Sequence, residues 1–139
     1  IGLANPNALL IANACFDSLE KIGWPEGRII LAEATIYLAT SPKSNSAYKS
    51  INDALALIEE SGDLPVPLHL RNAPTKLMRE SGYGSGYKYA HDYANNFVKQ
   101  QFLPDKIDGI SLWTPQNNAA EEKMRERMEY LWGNKFLKK

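Results

Sequence analysis

Residues 25–40, PEGRIILAEATIYLAT, are apolar on nearly every side of a helix, because Glu33 is the only charged residue after Arg28. Pro25 suits the first turn of a helix, where no backbone N–H is needed, and the alanines favour helix over strand. A helix without a polar face is typical of the middle of a helical bundle. We therefore predict an all-α fold with this helix, Pro25–Thr40, at its centre.

Two further helices are predicted on either side of the central one. Residues 5–23, NPNALLIANACFDSLEKIG, carry apolar residues at steps of three and four, with Asn5 as the expected N-cap and Gly23 as the C-cap. Residues 45–62, NSAYKSINDALALIEESG, repeat the pattern between a cap at Ser44 and a stop at Gly62. Tight turns between these helices predict a bundle of about five to six helices.

The second half of the chain begins with a proline-rich connection, LPVPLHLRNAP at residues 64–74. We predict a short helix after it, capped by Asn72 and stopped at Gly82, and then a loop-rich segment from Tyr83 to Pro115. FVKQQFLP and ISLW are candidates for short extended pieces in that segment. The last helix, AAEEKMRERMEYLW, has Glu121 four residues before Arg125, which predicts an ion pair between them. Together these elements predict one α-helical domain over residues 1–139.

Composition and charge exclude several classes of function. Lys and Arg total 16 and Asp and Glu total 16, so no overall basic field attracts nucleic acid. No apolar run approaches the ~20 residues of a membrane span, and we expect no membrane partner. The single cysteine, Cys15, cannot form an internal disulfide and is expected to be a buried structural thiol.

The segment SGYGSGYKYAHDY, residues 81–93, has the composition of a functional loop, but its pattern does not fit catalysis. Its glycines follow a helix end, and no Gly-Lys-Ser or Gly-Lys-Thr completes a phosphate loop. A metal site at His91 and Asp92 would need further ligands. The only other histidine is His69, and the sequence has no Cys or His pairs at metal-ligand spacing. We therefore predict no catalytic, metal or cofactor residue here, and a structural joint whose tyrosines hold a glycine loop on the core.

Nucleic-acid binding remains the alternative for this region. Arg71, Lys76, Arg79 and Lys88 are interleaved with tyrosines, on which unpaired bases can stack. The segment SPKSNSAY, residues 41–48, also has both a ligand-binding and a structural interpretation. Lys43, Ser44 and Asn45 either bind an anion at a helix N-terminus or form an elbow between helices that Ser44 caps.

Four segments carry a resemblance to a known family. They are IGLANPNAL, GWPEGRIILAEATIYLATSPKSNSAY, VPLHLRNAPTKLMRESGYGSGYKYAHDY and FVKQQFLPD. Together they resemble the C-terminal region of the replication-associated recombination protein A family, also called RarA or MgsA. These proteins are AAA+ ATPases related to clamp-loader subunits. The resemblance extends from Ile1 to about Leu131.

The resemblance implies an α-helical oligomerisation domain, associated with tetramers, that follows an ATPase domain. ATP and magnesium would bind in that ATPase domain, and none of its motifs is present in this chain. The chain by itself is therefore expected not to be an enzyme. The resemblance also implies a cytoplasmic, nucleoid-associated parent protein that acts on DNA in replication-fork maintenance and recombination beside single-stranded DNA-binding protein.

Positions that match the family signature are candidates for structural or interface roles. They are Pro42, Lys43, Ser44, Asn45, Arg71, Asn72, Tyr83, Gly84, Gly86, Tyr87, Tyr89, His91 and Asp92. The chain departs from the family pattern at Ala94-Asn95-Asn96, where Pro-Gly-Gly is expected, and at Ala119, where glycine is common.

The apolar stripe of the last helix is the predicted oligomer interface. Its residues lie at i, i+4, i+7 and i+8: Met124, Met128, Leu131 and Trp132. The alternative function is a module of the same ATPase that contacts single-stranded DNA or a partner protein, with Arg71, Lys76, Arg79 and Lys88 as the DNA contacts.

Overall fold

The computed structural model describes residues 1–136, and the last three residues of the predicted 1–139 domain lie outside that range. Within it the chain forms five α-helices and several short 3-10 turns, without a β-strand. The helices are α1 (Asn7–Ile22), α2 (Gly27–Thr40), α3 (Ser46–Ser61), α4 (Lys76–Glu80) and α5 (Ala119–Trp132). The all-α prediction is confirmed, as is the loop-rich segment that precedes the last helix.

Glycines end the first and third helices as predicted. The Gly23 N–H donates to the Leu19 carbonyl oxygen at 2.9 Å, and Gly23 has a φ of 73°. The Gly62 N–H donates to the Ile58 carbonyl oxygen at 2.9 Å, with a φ of 66°. A positive φ costs glycine little because it has no Cβ, and the turn satisfies one carbonyl of the last helical turn.

The predicted side-chain caps are wrong at two positions. Helix α1 begins after Pro6 without a side-chain cap, and the Asn5 amide donates instead to the Tyr37 hydroxyl at 3.1 Å and to Ser41 Oγ at 3.0 Å. Thr75, and not Asn72, caps α4, since its Oγ1 accepts from the Met78 N–H at 3.2 Å. Asn5 bonds residues of another helix, and Thr75 lies directly before α4, so the presence of an asparagine near a helix start does not by itself identify the cap.

The chain divides into two compact units. Of the described residues, 1–53 and 113–126 form the first unit, and 54–112 and 127–136 form the second. Two of the three boundaries fall inside α3 and inside α5, and the third lies between Leu112 and Trp113 in the loop-rich segment. That the whole chain is a single domain stays a prediction.

The first unit contains an antiparallel hairpin of α1 and α2 that packs through small residues. Ala8 and Cys15 of α1 and Gly27 and Ala34 of α2 are its buried residues. A Cβ added to Gly27 would lie 2.7 Å from Leu19 Cδ2, which shows how closely the helices approach. The Cys15 thiol donates to the Ile30 carbonyl oxygen at 3.8 Å. Small side chains let two helix backbones approach, so the larger side chains take other directions.

The second unit contains an aromatic cluster around Trp132. The rings of Phe97 and Phe136 lie 5.0 Å from the Trp132 ring, and the ring of Phe102 lies 6.1 Å away, all in edge-to-face arrangements. Edge-to-face pairs at such distances are favourable beyond the area they bury. The His69 ring nitrogen Nε2 hydrogen-bonds the Gln101 carbonyl oxygen at 2.7 Å, which joins the proline-rich connection to the segment that holds Phe102.

Candidate functional site

Large apolar side chains of the hairpin are exposed to solvent. Leu9 and Phe16 of α1 are 70% and 64% exposed, and Ile29 and Ile36 of α2 are each 65% exposed. Each pair is seven residues apart and therefore shares a helix face. The prediction that α2 lies at the centre of a bundle is wrong within the described residues, because Ile29 and Ile36 of α2 are largely exposed. We call these four residues the hairpin apolar residues.

An open groove runs along the hairpin between α1 and α2, with a volume of about 410 Å³. Its lining is mainly aliphatic: Leu10, Ile11, Ala14, Cys15, Ser18, Ile30, Glu33 and Ala34. Glu33 is the one ionisable carboxylate among these groove residues. The hairpin thus presents apolar surface on more than one side.

Helix α3 also carries an exposed apolar stripe. Tyr48, Ile51, Leu55 and Ile58 recur at steps of three, four and three residues, and each has more than half of its surface in solvent. This spacing is the one that coiled-coil helices use to contact a partner helix. The sequence predicted an apolar face on α3 that included Ile51, Leu55 and Ile58, and the structure leaves those residues uncovered.

The signature residues Ser44 and Asn45 lie in a polar network at the start of α3. Ser44 Oγ accepts from the Ser46 N–H at 3.1 Å, which supports the elbow capped by Ser44 over the anion site. The Asn45 amide oxygen accepts from the Gln116 side chain. Gly2 lies so close that an added Cβ would be 2.6 Å from the Ser44 carbonyl oxygen. Pro42 and Lys43, the other two residues of this signature, are exposed.

Glu121 is the centre of this polar network and is fully buried. Its carboxylate accepts from the Gln116 N–H at 2.9 Å and from the Asn118 side-chain amide at 3.0 Å. Burial raises the pKa of the Glu121 carboxyl, but hydrogen bonds from Ser44, Asn118, the Gln116 backbone and Ser46 outweigh it, so its pKa is lowered below the ordinary value. The network joins the start of α3 to the start of α5 through an ionised group.

The predicted ion pair between Glu121 and Arg125 is wrong. Arg125 pairs with Glu122, one residue later, and its Nε donates to Glu122 Oε2 at 3.0 Å. That pairing lowers the pKa of Glu122, which is exposed. The sequence carried a usable signal for Glu121, since Asn118-Ala-Ala-Glu121 has the spacing of a capping box. Asn118 Oδ1 does accept from the Glu121 N–H, at 3.0 Å.

The glycine–tyrosine loop is held by its first tyrosine. Tyr83 is half-buried, its hydroxyl accepts from Arg71 Nη1 at 3.2 Å, and the Arg71 guanidinium lies 5.1 Å from the centre of its ring. The Gly84 N–H donates to the Leu68 carbonyl oxygen at 2.8 Å. The structure supports a joint here, but Gly86, Tyr87 and Tyr89 are exposed, so the expectation that all the tyrosines pack on the core is wrong.

Two of the four predicted DNA contacts bond backbone carbonyls, a third lies beside a carboxylate, and a role of the four in binding DNA stays a prediction. Arg71 Nε donates to the Val66 carbonyl oxygen at 2.6 Å, and Arg79 Nη1 donates to the Ala73 carbonyl oxygen at 3.1 Å, so both guanidinium groups bond their own backbone. Lys76 lies 3.7 Å from Glu80. Lys88 is exposed.

His91 and Asp92 lie exposed in a 3-10 turn, Ala90–Asp92, and Asn72 is exposed as well. Over residues 1–136, no three His, Cys, Asp or Glu side chains converge in a way that could hold a metal ion. In the same range, none of the helices has the length and apolar character needed to span a bilayer.

The chain departs from the family pattern at Ala94-Asn95-Asn96 and at Ala119, and the structure differs at the two places. Asn95 and Asn96 have φ values of 58° and 52°, in the left-handed region that glycine adopts freely and asparagine tolerates better than most residues. The chain therefore keeps the backbone that the expected glycines would give. Ala119 is the first residue of α5.

The predicted interface residues of α5 are half-buried. Met124, Met128 and Leu131 share this intermediate exposure with Trp132, whose ring belongs to the aromatic cluster. Trp132 thus has a packing role inside the chain. Whether the stripe also contacts another subunit stays a prediction.

Comparison with known proteins gives a consistent result. A family model described as the MgsA AAA+ ATPase C terminal matches residues 1–132. The chain is 42% identical over 132 residues to the replication-associated recombination protein A of Escherichia coli strain K12, and 41% identical over 131 residues to that of Coxiella burnetii. Each alignment covers 94% of this chain and 30% of the relative.

The protein of the same name from Bacillus subtilis strain 168 is 43% identical over 122 residues, which cover 88% of this chain and 29% of that relative. The chain therefore spans about three-tenths of the length of these relatives. The match to the family model extends into both compact units and includes the elbow, the glycine–tyrosine loop and all of α5. The chain belongs to the RarA/MgsA family, as the C-terminal region of its AAA+ ATPases.

Proposed function

We propose that this chain is the oligomerisation domain of a RarA/MgsA-type AAA+ ATPase and that it forms a tetramer. The observation that supports the proposal is the exposure of the hairpin apolar residues, Leu9, Phe16, Ile29 and Ile36. Transfer of such side chains from water into an interface is favourable by roughly 1.5–3 kcal/mol each. A helix pair that is apolar on several sides is stable in water when other subunits cover it.

A closed assembly accounts for the number of uncovered faces. In cyclic or dihedral assemblies every copy uses the same surfaces, so one apolar hairpin supplies contacts to more than one neighbour. The stripe of α3 offers a further surface with helix-pairing spacing. Met124, Met128, Leu131 and Trp132 of α5 remain candidates for the same interface, in addition to the packing of Trp132 within the chain.

For the parent protein, we propose that nucleotide hydrolysis, with ATP and magnesium, belongs to an AAA+ ATPase domain outside this chain. The chain itself would then be non-catalytic and need no cofactor. The name of the relatives supports a role in DNA replication and recombination for the parent. From the family resemblance, we also propose DNA and single-stranded DNA-binding protein as partners of the parent. We propose that the parent acts in the cytoplasm, in association with the nucleoid.

Sedimentation of the purified chain tests the assembly. We expect a tetramer, or a dimer that precedes it, at micromolar concentration, against 15.6 kDa for one chain. A species that stays at the mass of one chain up to high micromolar concentration contradicts the proposal.

A matched pair of substitutions then locates the interface. Ile36→Glu places a charge among the hairpin apolar residues, and Thr35→Glu places the same charge at the neighbouring exposed position of α2. We expect Ile36→Glu to lower the mass with helicity retained, and Thr35→Glu to leave the mass unchanged. Equal masses for both variants, and for Ile29→Glu, would place the subunit contacts elsewhere.

A further inference from the structure

Helix α3 presents its apolar stripe to solvent along most of its length. The stripe residues are 54–67% exposed: Tyr48, Ile51, Leu55 and Ile58. Ser46 and Leu57, on the opposite side of the helix, are buried and half-buried, so α3 is held in the chain without the stripe. Because α3 is one continuous helix, Ser46–Ser61, a second molecule that meets the stripe does not have to order it first.

The spacing of the stripe is self-complementary when two copies of α3 run antiparallel. The steps of three, four and three residues are the same in either direction along the helix. In an antiparallel pair centred between Ile51 and Leu55, Tyr48 lies against the partner's Ile58, and Ile51 lies against the partner's Leu55. Each pairing occurs twice, so every stripe residue of both copies is covered. Both copies use the same surface, as a twofold contact requires.

The charges of α3 favour the antiparallel direction. Lys49 lies near the start of the helix and Glu59 near its end, and both are exposed. In a parallel pair the two copies of Glu59 would lie at the same end, about 15 Å along the axis from Lys49. In the antiparallel pair Lys49 lies on the same edge of the stripe as the partner's Glu59, within about 3 Å along the axis. The same arrangement places that carboxylate beside the N-terminus of α3, where negative charge is favourable.

The residues along the two edges of the stripe allow close contact and fix the alignment. One edge has a small residue at every seventh position: Ala47, Ala54 and Ser61. Small side chains at the contact permit a short distance between helix axes. On the other edge, Asn52 is exposed and lies next to its own copy at the middle of the antiparallel pair. Two amide side chains can donate to and accept from each other, and a polar residue within a helix contact specifies the register.

We propose that α3 pairs antiparallel with α3 of a second copy of this chain, with Lys49 beside the partner's Glu59 and Asn52 at the twofold axis. This inference rests on the proposed oligomerisation function and specifies one of its contacts. A twofold contact through α3 and a second twofold contact through the hairpin apolar residues together generate a closed assembly of four chains. The tetramer is then a pair of dimers, and α3 forms one of its two kinds of contact.

Sedimentation of substituted chains tests the two contacts separately. Leu55→Lys places a charge in the middle of the stripe, and Glu60→Lys introduces the same residue at an exposed position of α3 outside it. We expect Leu55→Lys to reduce the tetramer to a dimer, and Glu60→Lys to leave a tetramer. Leu55→Lys combined with Ile36→Glu should give the mass of one chain, because both contacts are then lost. If Leu55→Lys leaves the tetramer intact, the α3 pairing is overturned and the oligomerisation function stands, whereas an unmodified protein that stays a single chain overturns both.

Exchange of charges tests the direction of the pair. In the Ile36→Glu protein, where α3 should hold the remaining dimer, Lys49→Glu or Glu59→Lys places like charges together. We expect either change to raise the dissociation constant of the dimer about threefold or more, and the two changes together to restore it within about twofold. The two positions are ten residues apart in one helix, so a contact within one chain does not explain such a recovery. A double variant that associates as weakly as the single ones overturns the antiparallel pair.

Crosslinking identifies what covers the stripe. In a chain with Cys15→Ser, Asn52→Cys supplies the single thiol, and a short bismaleimide joins two chains only where two copies of residue 52 meet. We expect a covalent dimer for Asn52→Cys and little for Glu60→Cys in the same background. If Asn52→Cys gives no covalent dimer, another surface or another protein covers the stripe and the proposal is overturned.

Discussion

At the scale of single residues, Glu121 shows how a buried charge can be retained without a cationic partner. Its carboxylate is fully buried, and its partners are neutral donors: the Gln116 N–H, the Asn118 amide and the hydroxyls of Ser44 and Ser46. Hydrogen bonds to the ionised form favour it, and they outweigh the cost of removing the charge from water. The signature residues Ser44 and Asn45 have hydrogen-bond partners within the chain, which favours the elbow over an anion site.

The pH dependence of the unfolding free energy should reveal the contribution of the hydrogen-bonded Glu121 carboxylate. The pKa of Glu121 is lowered in the folded chain, so its contribution is complete above the ordinary value of 4.5 and is lost as the pH falls through the lowered folded value. Glu121→Gln places an N–H group against existing donors and should cost about 1–3 kcal/mol of unfolding free energy at neutral pH. We expect the difference between the two proteins in urea unfolding to shrink as the pH falls below 4.5.

Glu122→Gln is the matched control for that experiment. Glu122 is exposed and its pKa is lowered by Arg125, so salt should screen its contribution. A pH-dependent difference for Glu121→Gln that disappears at high salt would contradict the buried network.

Prediction of single residues from the sequence succeeded where only one residue type suits the backbone conformation. Gly23 and Gly62 end helices because a left-handed residue is needed there, and glycine adopts it at least cost. It failed where more than one pairing was within reach, as for Asn5 and for the choice between Glu121 and Glu122 for Arg125. Local spacing cannot decide between such partners, because tertiary contacts do.

At the scale of elements, the α1–α2 hairpin is defined by the size of its interface residues. Ala8 and Cys15 of α1 and Gly27 and Ala34 of α2 are its buried residues, whereas Phe16, Ile29 and Ile36 are exposed. The periodicity of α2 predicted burial on all sides. It could not show that Ile29 and Ile36 are exposed among the described residues, because an apolar face has the same pattern whether it is covered by the same chain or by another.

Enlarging the small interface should open the hairpin. Ala8 is 6% exposed, so Ala8→Leu forces a larger side chain between the helices and should cost about 1–3 kcal/mol in unfolding free energy. Ala12→Leu, an exposed position of the same helix, is the matched control and should have little effect. Urea unfolding followed by circular dichroism measures both. Equal losses for the two variants would show that the close approach is not what stabilises the hairpin.

Helix α5 should be anchored in the second unit by its tryptophan. Trp132 contacts Phe97, Phe102 and Phe136, so Trp132→Ala should cost about 2–4 kcal/mol. Tyr130→Ala, at a position 74% exposed two residues earlier, should be close to neutral. Thermal unfolding compares them. A Trp132→Ala variant that keeps its stability but loses assembly would instead give Trp132 a role only between subunits, as the helical stripe suggested.

At the scale of the whole molecule, stability and assembly should be linked. If subunits cover the hairpin apolar residues, the folded assembly is favoured by mass action and the midpoint of thermal unfolding rises with protein concentration. We expect a measurable upward shift of Tm between low and high micromolar protein. Ile36→Glu should reduce that shift, and Thr35→Glu should preserve it. A Tm that is independent of concentration would indicate that assembly does not stabilise the fold.

The sequence predicted the class of the fold, the family and the loop-rich segment, because these depend on patterns spread over many residues. It did not predict which tyrosines are exposed. Tyr83 and Tyr87 lie in the same glycine-rich context, and only the position of Arg71 in space gives one of them a partner. Nor did it predict that Leu9 and Phe16 are exposed, since their exposure depends on what the rest of the described chain leaves uncovered.

The single thiol of the chain lies inside the α1–α2 joint, where Cys15 is 8% exposed and faces the Ile30 carbonyl oxygen. Cys15 also lines the open groove of the hairpin, so the rate at which a disulfide reagent modifies the thiol reports how accessible that groove is. With one cysteine in the molecule, that rate needs no assignment to a site. If neighbouring subunits cover the groove, the reaction should slow as the protein becomes more concentrated, and Cys15 then serves as a chemical probe of assembly.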